Sequence, residues 1–271
     1  MSRIKSCLQQ LAAQNKKALI PYIVCGDPTL ETTLPAMQSL VQAGANIIEL
    51  GVPFSDPMAE GPVIQKAHER ALVHHTSLRS TLEIVRKFRE TDNLTPVVLM
   101  GYANPVERMG YAEFAKQASA AGVDGVLTVD LPPEEAGALN IELKKVGMDN
   151  IFLLAPTTTP DRAKQICEMA TGYLYYVSLK GVTGAGNLDM DEVKNKVSGF
   201  RKFTSLPICV GFGIKDAASA KRIADVADGA VVGSVLVEKM ASLHANHAPY
   251  FCIADALANI LGDMRRAIDL K

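Results

Sequence analysis

Short apolar segments recur along the chain and alternate with segments of helical periodicity. The apolar segments are continuous rather than alternating, and they are rich in Val, Ile and Leu. This pattern is typical of parallel strands, because other parts of the protein cover both faces of such a sheet. Eight strands are therefore predicted, at 18–24, 46–50, 96–100, 125–129, 151–155, 173–177, 207–211 and 229–233.

Eight strands that alternate with helices, without a linker or a break in composition, predict an α/β fold. We expect a single (β/α)8 barrel, the TIM-barrel fold, over 1–271. The amphipathic pattern of 1–18 predicts an extra N-terminal helix, and the long loop 51–61 precedes two helical stretches, 62–74 and 77–90. The alternative is a doubly wound sheet, which would place G-x-G-x-x-G after the first strand. The turn at that point is CGDPTLE, which lacks the motif.

Charge and composition narrow the class of protein. The 28 Lys and Arg are scattered among 29 Asp and Glu, so no nucleic-acid partner is expected. The chain has neither an apolar stretch of membrane-spanning length nor the apolar core of a secretory signal, which predicts no membrane association. Five widely spaced cysteines without a C-x-x-C pair indicate reduced thiols in a cytoplasmic protein. The five histidines lack metal-site spacing, so no metal is expected.

Glycines follow the last two predicted strands, in VGFGIKD and VVGSVLVEKM. Small residues at a strand-to-helix turn let backbone N–H groups approach an anion, and the following helix adds its positive end. Phosphate sites of barrels favour these two loops, so Gly213, Gly233 and Ser234 are predicted to bind phosphate. The loop 178–189 beside them is rich in glycine, which fits a closing lid with Gly184 as its phosphate contact; a flexible connector is the alternative.

The second predicted strand ends in an acid, within IIELGVPFSDPMAEGP. Glu49 follows the apolar pair Ile47 and Ile48 and precedes Leu50, so its side chain is expected to point into the barrel near the mouth, where active sites of this fold lie. Burial of a carboxylate raises its pKa towards values useful for proton transfer. Glu49 is therefore predicted to be catalytic, the alternative being a structural carboxylate paired with a base. For the loop acids at the mouth, the sequence alone does not separate catalysis from solvation or turn formation: Asp27, Asp56, Glu60 and Asp130.

Apolar and aromatic residues also lie near the predicted strand ends. Each of them alone fits core packing, but together they suggest a subsite for a flat apolar ring beside the phosphate. They are Tyr22, Met100, Tyr102, Tyr175 and Phe212.

These motifs, ELGVPFSDPMAEGP together with VTG and GFG, resemble the tryptophan synthase alpha chain family, and the resemblance spans nearly the whole chain. It implies a lyase that cleaves indole-3-glycerol phosphate to indole and glyceraldehyde 3-phosphate without a metal or an organic cofactor. It places the catalytic glutamate at Glu49 and the second acid at Glu60. It further implies a ring pocket of Tyr22, Met100, Tyr175 and Phe212, a phosphate cradle of Gly184, Gly213, Gly233 and Ser234, and a closing loop that contains Thr183.

Three residues depart from the family's pattern. Tyr22 stands where phenylalanine is frequent, Met100 where leucine is common, and Glu60 where the motif normally has aspartate. The extra methylene of Glu60 moves its carboxylate by one C–C bond, and a displacement of about 1 Å can cost roughly 100-fold in rate. Either the loop retracts to compensate, or catalysis is weaker than in relatives with aspartate.

The resemblance also implies a pyridoxal-phosphate-dependent beta partner in an α2β2 tetramer, with contacts through the loop at 53–57 and a helix at 107–121. Two alternative functions remain at this point. One is an allosteric binding subunit with weak chemistry of its own. The other is a different sugar-phosphate lyase or isomerase barrel; a Schiff-base aldolase is disfavoured because Lys180 and Lys215 lie beyond the strand ends.

Overall fold

The structure is a computed structural model that describes residues 2–178, 190–211 and 213–270. Its eight strands form one closed, all-parallel barrel in the order of the chain, with β1 also paired to β8. The predicted barrel is therefore confirmed. The strands are β1 (Ala18–Val24), β2 (Ile48–Gly51), β3 (Val97–Gly101), β4 (Gly125–Thr128), β5 (Asp149–Leu154), β6 (Leu174–Val177), β7 (Ile208–Gly211) and β8 (Gly229–Val232).

Twelve helices lie within the described residues, including the predicted N-terminal one. They are α1 (Arg3–Ala13), α2 (Leu30–Gln42), α3 (Pro62–Val73), α4 (Leu78–Arg89), α5 (Ala103–Met109), α6 (Tyr111–Ala121), α7 (Gly137–Lys145), α8 (Pro160–Met169), α9 (Met190–Phe200), α10 (Ala217–Val226), α11 (Ser234–Ala245) and α12 (Tyr250–Asp269). None of them is long and apolar enough to cross a membrane.

One helix prediction was wrong in its extent. The segment 107–121 is not a single helix, because Gly110 adopts a φ of 86° between α5 and α6. Such a left-handed backbone favours glycine and interrupts the helical hydrogen bonds. Since α5 begins at Ala103, four residues before the predicted start, the surface that follows β3 is a bend between two helices.

Side chains alternate between the two faces of each strand and so divide the core into two layers. In β1 and β2, Leu19, Ile48 and Leu50 pack outward under the helices. Ile20 of β1, and Ile47 directly before β2, fill the barrel interior. The same alternation places residues 22, 49, 51, 100, 175, 211 and 233 on the inward face. The positions that matter for a site are thus fixed by strand parity.

Helix α1 covers the end of the barrel opposite the mouth, which we call the floor. Its residues Ile4 and Leu8 are buried in the interior cluster. Asp124, just before β4, accepts hydrogen bonds from Arg3 at 2.8 Å and from Arg89 at 2.7 Å, and its carboxylate also accepts from the backbone N–H of Val97 at 2.8 Å. The side chain of Asp124 is only 4% exposed. The floor is therefore closed by apolar packing and by a buried carboxylate with two cationic partners.

Candidate active site

Glu49 is fully buried on the inward face of β2, near the mouth of the barrel. In the strand register it lies beside Tyr22 of β1 and Val98 of β3. One carboxylate oxygen, Oε1, accepts a hydrogen bond from Tyr173 Oη at 2.5 Å, while Oε2 has no hydrogen-bond partner in the described part of the chain. The predicted inward orientation is thus observed, and the hydroxyl contact is with a residue that the sequence did not single out.

The surroundings of Glu49 favour its neutral form. Burial raises the pKa of Glu49 to about 8; the hydrogen bond from Tyr173 opposes that shift, and the charge of Glu60 adds to it. Among the described residues, no lysine or arginine forms an ion pair with this carboxyl group. A buried carboxylic acid without a cation can hold a proton near neutrality, as a general acid requires.

Glu60 lies in the loop between β2 and α3 and is only partly buried. Burial raises the pKa of Glu60 to about 7, a smaller shift than that of Glu49. Its negative charge raises the pKa values of Tyr22, Tyr175 and Glu49, all of which lie on the inward face at the mouth. The Glu60 carboxyl group is therefore close enough to Glu49 for the charge of one to affect the ionisation of the other, so the structure brings the two predicted acids into one region of the mouth.

The loop that carries Glu60 is held by side chains from α3 and from the end of β3. The N–H of Phe54 donates to His68 Nδ1 at 3.0 Å, and the N–H of Ala59 donates to Tyr102 Oη at 3.2 Å. The ring of Tyr102 also stacks on Phe54, with centroids 5.0 Å apart. Tyr102, considered above as part of a ring pocket, thus also supports the loop.

Two inward tyrosines and one methionine line the interior below the mouth. A Cβ added to Gly51 would lie 2.5 Å from Tyr22 Oη, and one added to Gly211 would lie 2.1 Å from Tyr175 Oη. Both glycines are therefore required for the tyrosine rings to lie where they do. Met100 packs between the interior cluster and the group of buried residues around Tyr22.

The glycines after β7 and β8 differ in their geometry. Gly213 is exposed and has a φ of 75°, a conformation that other residues rarely adopt. Gly233 precedes α11, whose first residue is the exposed Ser234, and no side chain caps this helix start. Uncapped N–H groups at a helix start form an anion site. Three further predicted residues, Thr183, Gly184 and Phe212, lie outside the described residues, as does most of the predicted lid at 178–189.

The remaining acids near the mouth have partners. Asp27 is fully buried and accepts two hydrogen bonds from Arg70, at 2.6 and 3.0 Å. Burial raises the pKa of Asp27 and the Arg70 guanidinium opposes that shift. Asp130 accepts from the N–H of Ala103 at 2.7 Å, at the start of α5. Asp56 is exposed. None of these three has the unpaired, buried environment of Glu49.

This arrangement defines a class: a TIM-barrel enzyme whose mouth holds two neighbouring carboxyl groups of raised pKa, suited to acid–base chemistry. Within the described residues, no group of three or more His, Cys, Asp or Glu side chains could hold a metal ion.

Comparison with known proteins gives the family. Residues 8–266 match the family model described as tryptophan synthase alpha chain. The tryptophan synthase alpha chains of Methylococcus capsulatus and Ralstonia nicotianae are 56% and 55% identical to this chain, each over 99% of it and 100% of the relative. The crystal structure of tryptophan synthase subunit alpha from Legionella pneumophila is 45% identical, with a TM-score of 0.91 over 99% of both chains.

The chain therefore belongs to the tryptophan synthase alpha chain family. Membership confirms the predicted lyase class and its place in tryptophan biosynthesis. The alternative of an unrelated sugar-phosphate barrel is thereby set aside.

Proposed function

We propose that Glu49 and Glu60 together carry out the cleavage of indole-3-glycerol phosphate in this chain. The observation that supports this assignment is the unpaired burial of Glu49, which holds its pKa at about 8 and keeps the group protonated near neutrality. Glu60, with a pKa of about 7, ionises first as the pH rises. Two carboxyl groups whose environments separate their pKa values can act as acid and as charge stabiliser.

The proposed reaction has two proton transfers at Glu49. The carboxylic acid first protonates C3 of the indole ring, and the resulting positive charge spreads to N1. The Glu60 carboxylate accepts a hydrogen bond from the N1–H and stabilises that charge. The Glu49 carboxylate then removes the proton from the hydroxyl group adjacent to the scissile bond. A carbonyl forms, the C–C bond breaks, its electrons return to the ring, and Glu49 is protonated again.

The remaining interior residues suit the two ends of this substrate. Tyr22, Met100 and Tyr175 would contact the indole ring, and Gly213, Gly233 and Ser234 would hold the phosphate at the start of α11. Their positions on the inward face and at an uncapped helix start support this proposal. From the resemblance alone, Phe212 is assigned to the ring, Gly184 to the phosphate and Thr183 to the closing loop.

The family also implies a beta-chain partner. We infer an α2β2 assembly in the cytoplasm, in which the pyridoxal phosphate belongs to the beta chain and this chain holds no cofactor. The crystal structure of tryptophan synthase from Mycobacterium tuberculosis contains a chain 32% identical to this one, with a TM-score of 0.87. Met58, 80% exposed at the tip of the loop that carries Glu60, supports a contact there. Analytical ultracentrifugation with and without a beta chain tests the stoichiometry.

The residue assignment is tested by indole release from indole-3-glycerol phosphate in a coupled assay. We expect Glu49→Gln to lower kcat by roughly 10²–10⁴-fold, the range of general acid–base catalysis. Binding of glycerol 3-phosphate should be unchanged, because the phosphate loops are not altered. Glu31→Gln, an exposed glutamate of α2, is the matched control and should turn over normally. Wild-type turnover of Glu49→Gln would refute the assignment.

A further inference from the structure

The buried face of helix α3 contains a polar residue that the reaction described above does not use. Buried residues of this helix recur as Ile64, Ala67, His68 and Ala71, so His68 occupies a position otherwise taken by apolar side chains. Its side chain is 1% exposed. Burial of an imidazole is unfavourable unless its nitrogen atoms are hydrogen-bonded, so a buried histidine in an apolar helix face requires an explanation.

One ring nitrogen of His68 has a defined partner. Nδ1 accepts a hydrogen bond from the backbone N–H of Phe54 at 3.0 Å, fourteen residues earlier in the chain. An accepting Nδ1 has no proton, so the neutral ring carries its hydrogen on Nε2. Nε2 is buried and has no hydrogen-bond partner among the described residues. Within the described residues, the bond from Phe54 to Nδ1 is thus the one hydrogen bond that offsets burial of the ring.

That bond fixes the loop from β2 to α3 near its beginning. A second α3 residue acts at the other end of the same loop, where Gln65 Nε2 donates to the backbone oxygen of Glu60 at 2.9 Å. Helix α3 is itself held to the end of β1 by the two hydrogen bonds between Arg70 and Asp27. A continuous set of contacts therefore connects the barrel, α3 and both ends of the loop that carries Glu60.

We propose that His68 is a positioning residue, whose Nδ1 holds the Phe54 backbone so that the Glu60 carboxylate lies at the indole nitrogen. The proposal rests on the function assigned to Glu60 above. Burial lowers the pKa of His68 to about 4, so the ring stays neutral and Nδ1 remains an acceptor near neutral pH. His68 does not touch the reacting atoms, and its effect on the rate acts through the loop.

The test variants are chosen by whether they can accept the hydrogen bond from the Phe54 N–H. Asparagine can present its side-chain oxygen near the place of Nδ1, whereas leucine fills a similar volume without an acceptor. We expect His68→Leu to lower kcat by about 10- to 100-fold, because a displacement near 1 Å can cost roughly 100-fold. KM should change little, and His68→Asn should recover most of kcat. His74→Leu, at an exposed histidine that ends the same helix, is the matched control.

Nuclear magnetic resonance provides a readout that is independent of turnover. In wild-type protein, the ¹⁵N shifts of His68 should show an unprotonated Nδ1. This measurement needs no variant, so it remains informative if His68→Leu fails to fold. With ¹⁵N-phenylalanine labelling, the amide signal of Phe54 should shift in His68→Leu and return towards the wild-type position in His68→Asn. A protonated Nδ1, a kcat of His68→Leu equal to wild type, or a His68→Asn variant as slow as His68→Leu would overturn the proposal.

The same data separate this proposal from the assignment of Glu60. If Glu60→Gln retained wild-type turnover, the role of Glu60 would fail. The ¹⁵N shifts of His68 and the response of the Phe54 amide would still report whether the hydrogen bond exists. If Glu60→Gln were slow but His68→Leu turned over normally, only the positioning role of His68 would fail.

Discussion

Buried carboxylates lie at both ends of the barrel, and their surroundings differ. At the floor, Asp124 is paired with Arg3 and Arg89 and accepts a backbone N–H as well. At the mouth, Glu49 has one hydroxyl partner and no ion pair within the part of the chain described. Partners stabilise the charged form of the acid, whereas unpaired burial favours the neutral form. A buried carboxylate thus helps to close the barrel at one end, whereas at the other end a buried carboxyl group favours its neutral form.

Asp27 shows that the difference depends on partners and not on the end of the barrel. It follows β1 at the mouth, yet it accepts two hydrogen bonds from Arg70 and holds α3 in place. Burial raises the pKa of both Asp27 and Glu49, but only at Asp27 does a guanidinium oppose the shift. The mouth therefore contains one carboxylate that supports the structure and a pair suited to the reaction.

The largest predicted effect is the loss of stability when Asp124, the carboxylate of the floor, is removed. Asp124→Ala leaves Arg89, which is 9% exposed, buried without its carboxylate partner. Loss of one member of a buried pair costs about 3–5 kcal/mol, which urea denaturation can measure. Turnover per folded molecule should be unchanged. Asp263→Ala, which removes an exposed ion pair with Arg266, is the control and should have little effect on stability. If Asp124→Ala and Asp263→Ala lost the same free energy of unfolding, the buried ion pairs of Asp124 would contribute no more to stability than an exposed pair.

At the mouth, removal of the Glu60 charge should affect rate and not stability. We expect Glu60→Gln to lower kcat by roughly 100-fold, as loss of a charge-stabilising group does, with the free energy of unfolding nearly unchanged or increased. Glu60→Asp, which shortens the side chain, should be no faster than wild type because the charge of the glutamate already acts on Glu49 and on the inward tyrosines. Steady-state kinetics of indole release measures both variants. A faster Glu60→Asp would show that the loop is not fitted to glutamate.

A smaller change is expected when the one hydroxyl partner of Glu49 is lost. The hydrogen bond from Tyr173 favours the ionised carboxylate and so lowers its pKa. Tyr173→Phe should therefore move the alkaline limb of the pH–rate profile upward from about pH 8, where Glu49 loses its proton. A shift to lower pH would mean that Tyr173 stabilises the protonated acid instead. Tyr176→Phe is the matched control, since Tyr176 packs in the outer core and its hydroxyl has no hydrogen-bond partner among the described residues.

The barrel could be predicted because each buried parallel strand appears in the sequence as a short, continuous apolar run, which can be recognised without knowledge of distant contacts. Strand limits still differ by one or two residues: β2 covers Ile48–Gly51 where 46–50 was predicted. The inward orientation of the Glu49 side chain could be predicted for a related reason, since it depends only on the position of the residue within its strand. By contrast, the split of 107–121 at Gly110 depends on a positive φ that an isolated glycine does not reveal.

Partners distant in the chain account for what the sequence did not show. Tyr173 lies 124 residues from Glu49, and Arg70 lies 43 residues from Asp27. Before the fold is known, Asp27 and Glu60 are both loop acids next to a proline or glycine. Only the closed barrel and the packing of α3 distinguish them. His68 was missed for the same reason, because its partner is a backbone N–H that has no sequence signal.

The proposed reaction requires Glu49 to be an uncharged acid at neutral pH. Difference infrared spectroscopy of wild type against Glu49→Gln measures this directly, because the protonated carboxyl C=O band of Glu49 is absent from the variant. We predict that this band persists at pH 7 and disappears as the pH rises through about 8. A Glu49 carboxyl group that is already ionised at pH 6 would contradict its proposed role as the acid.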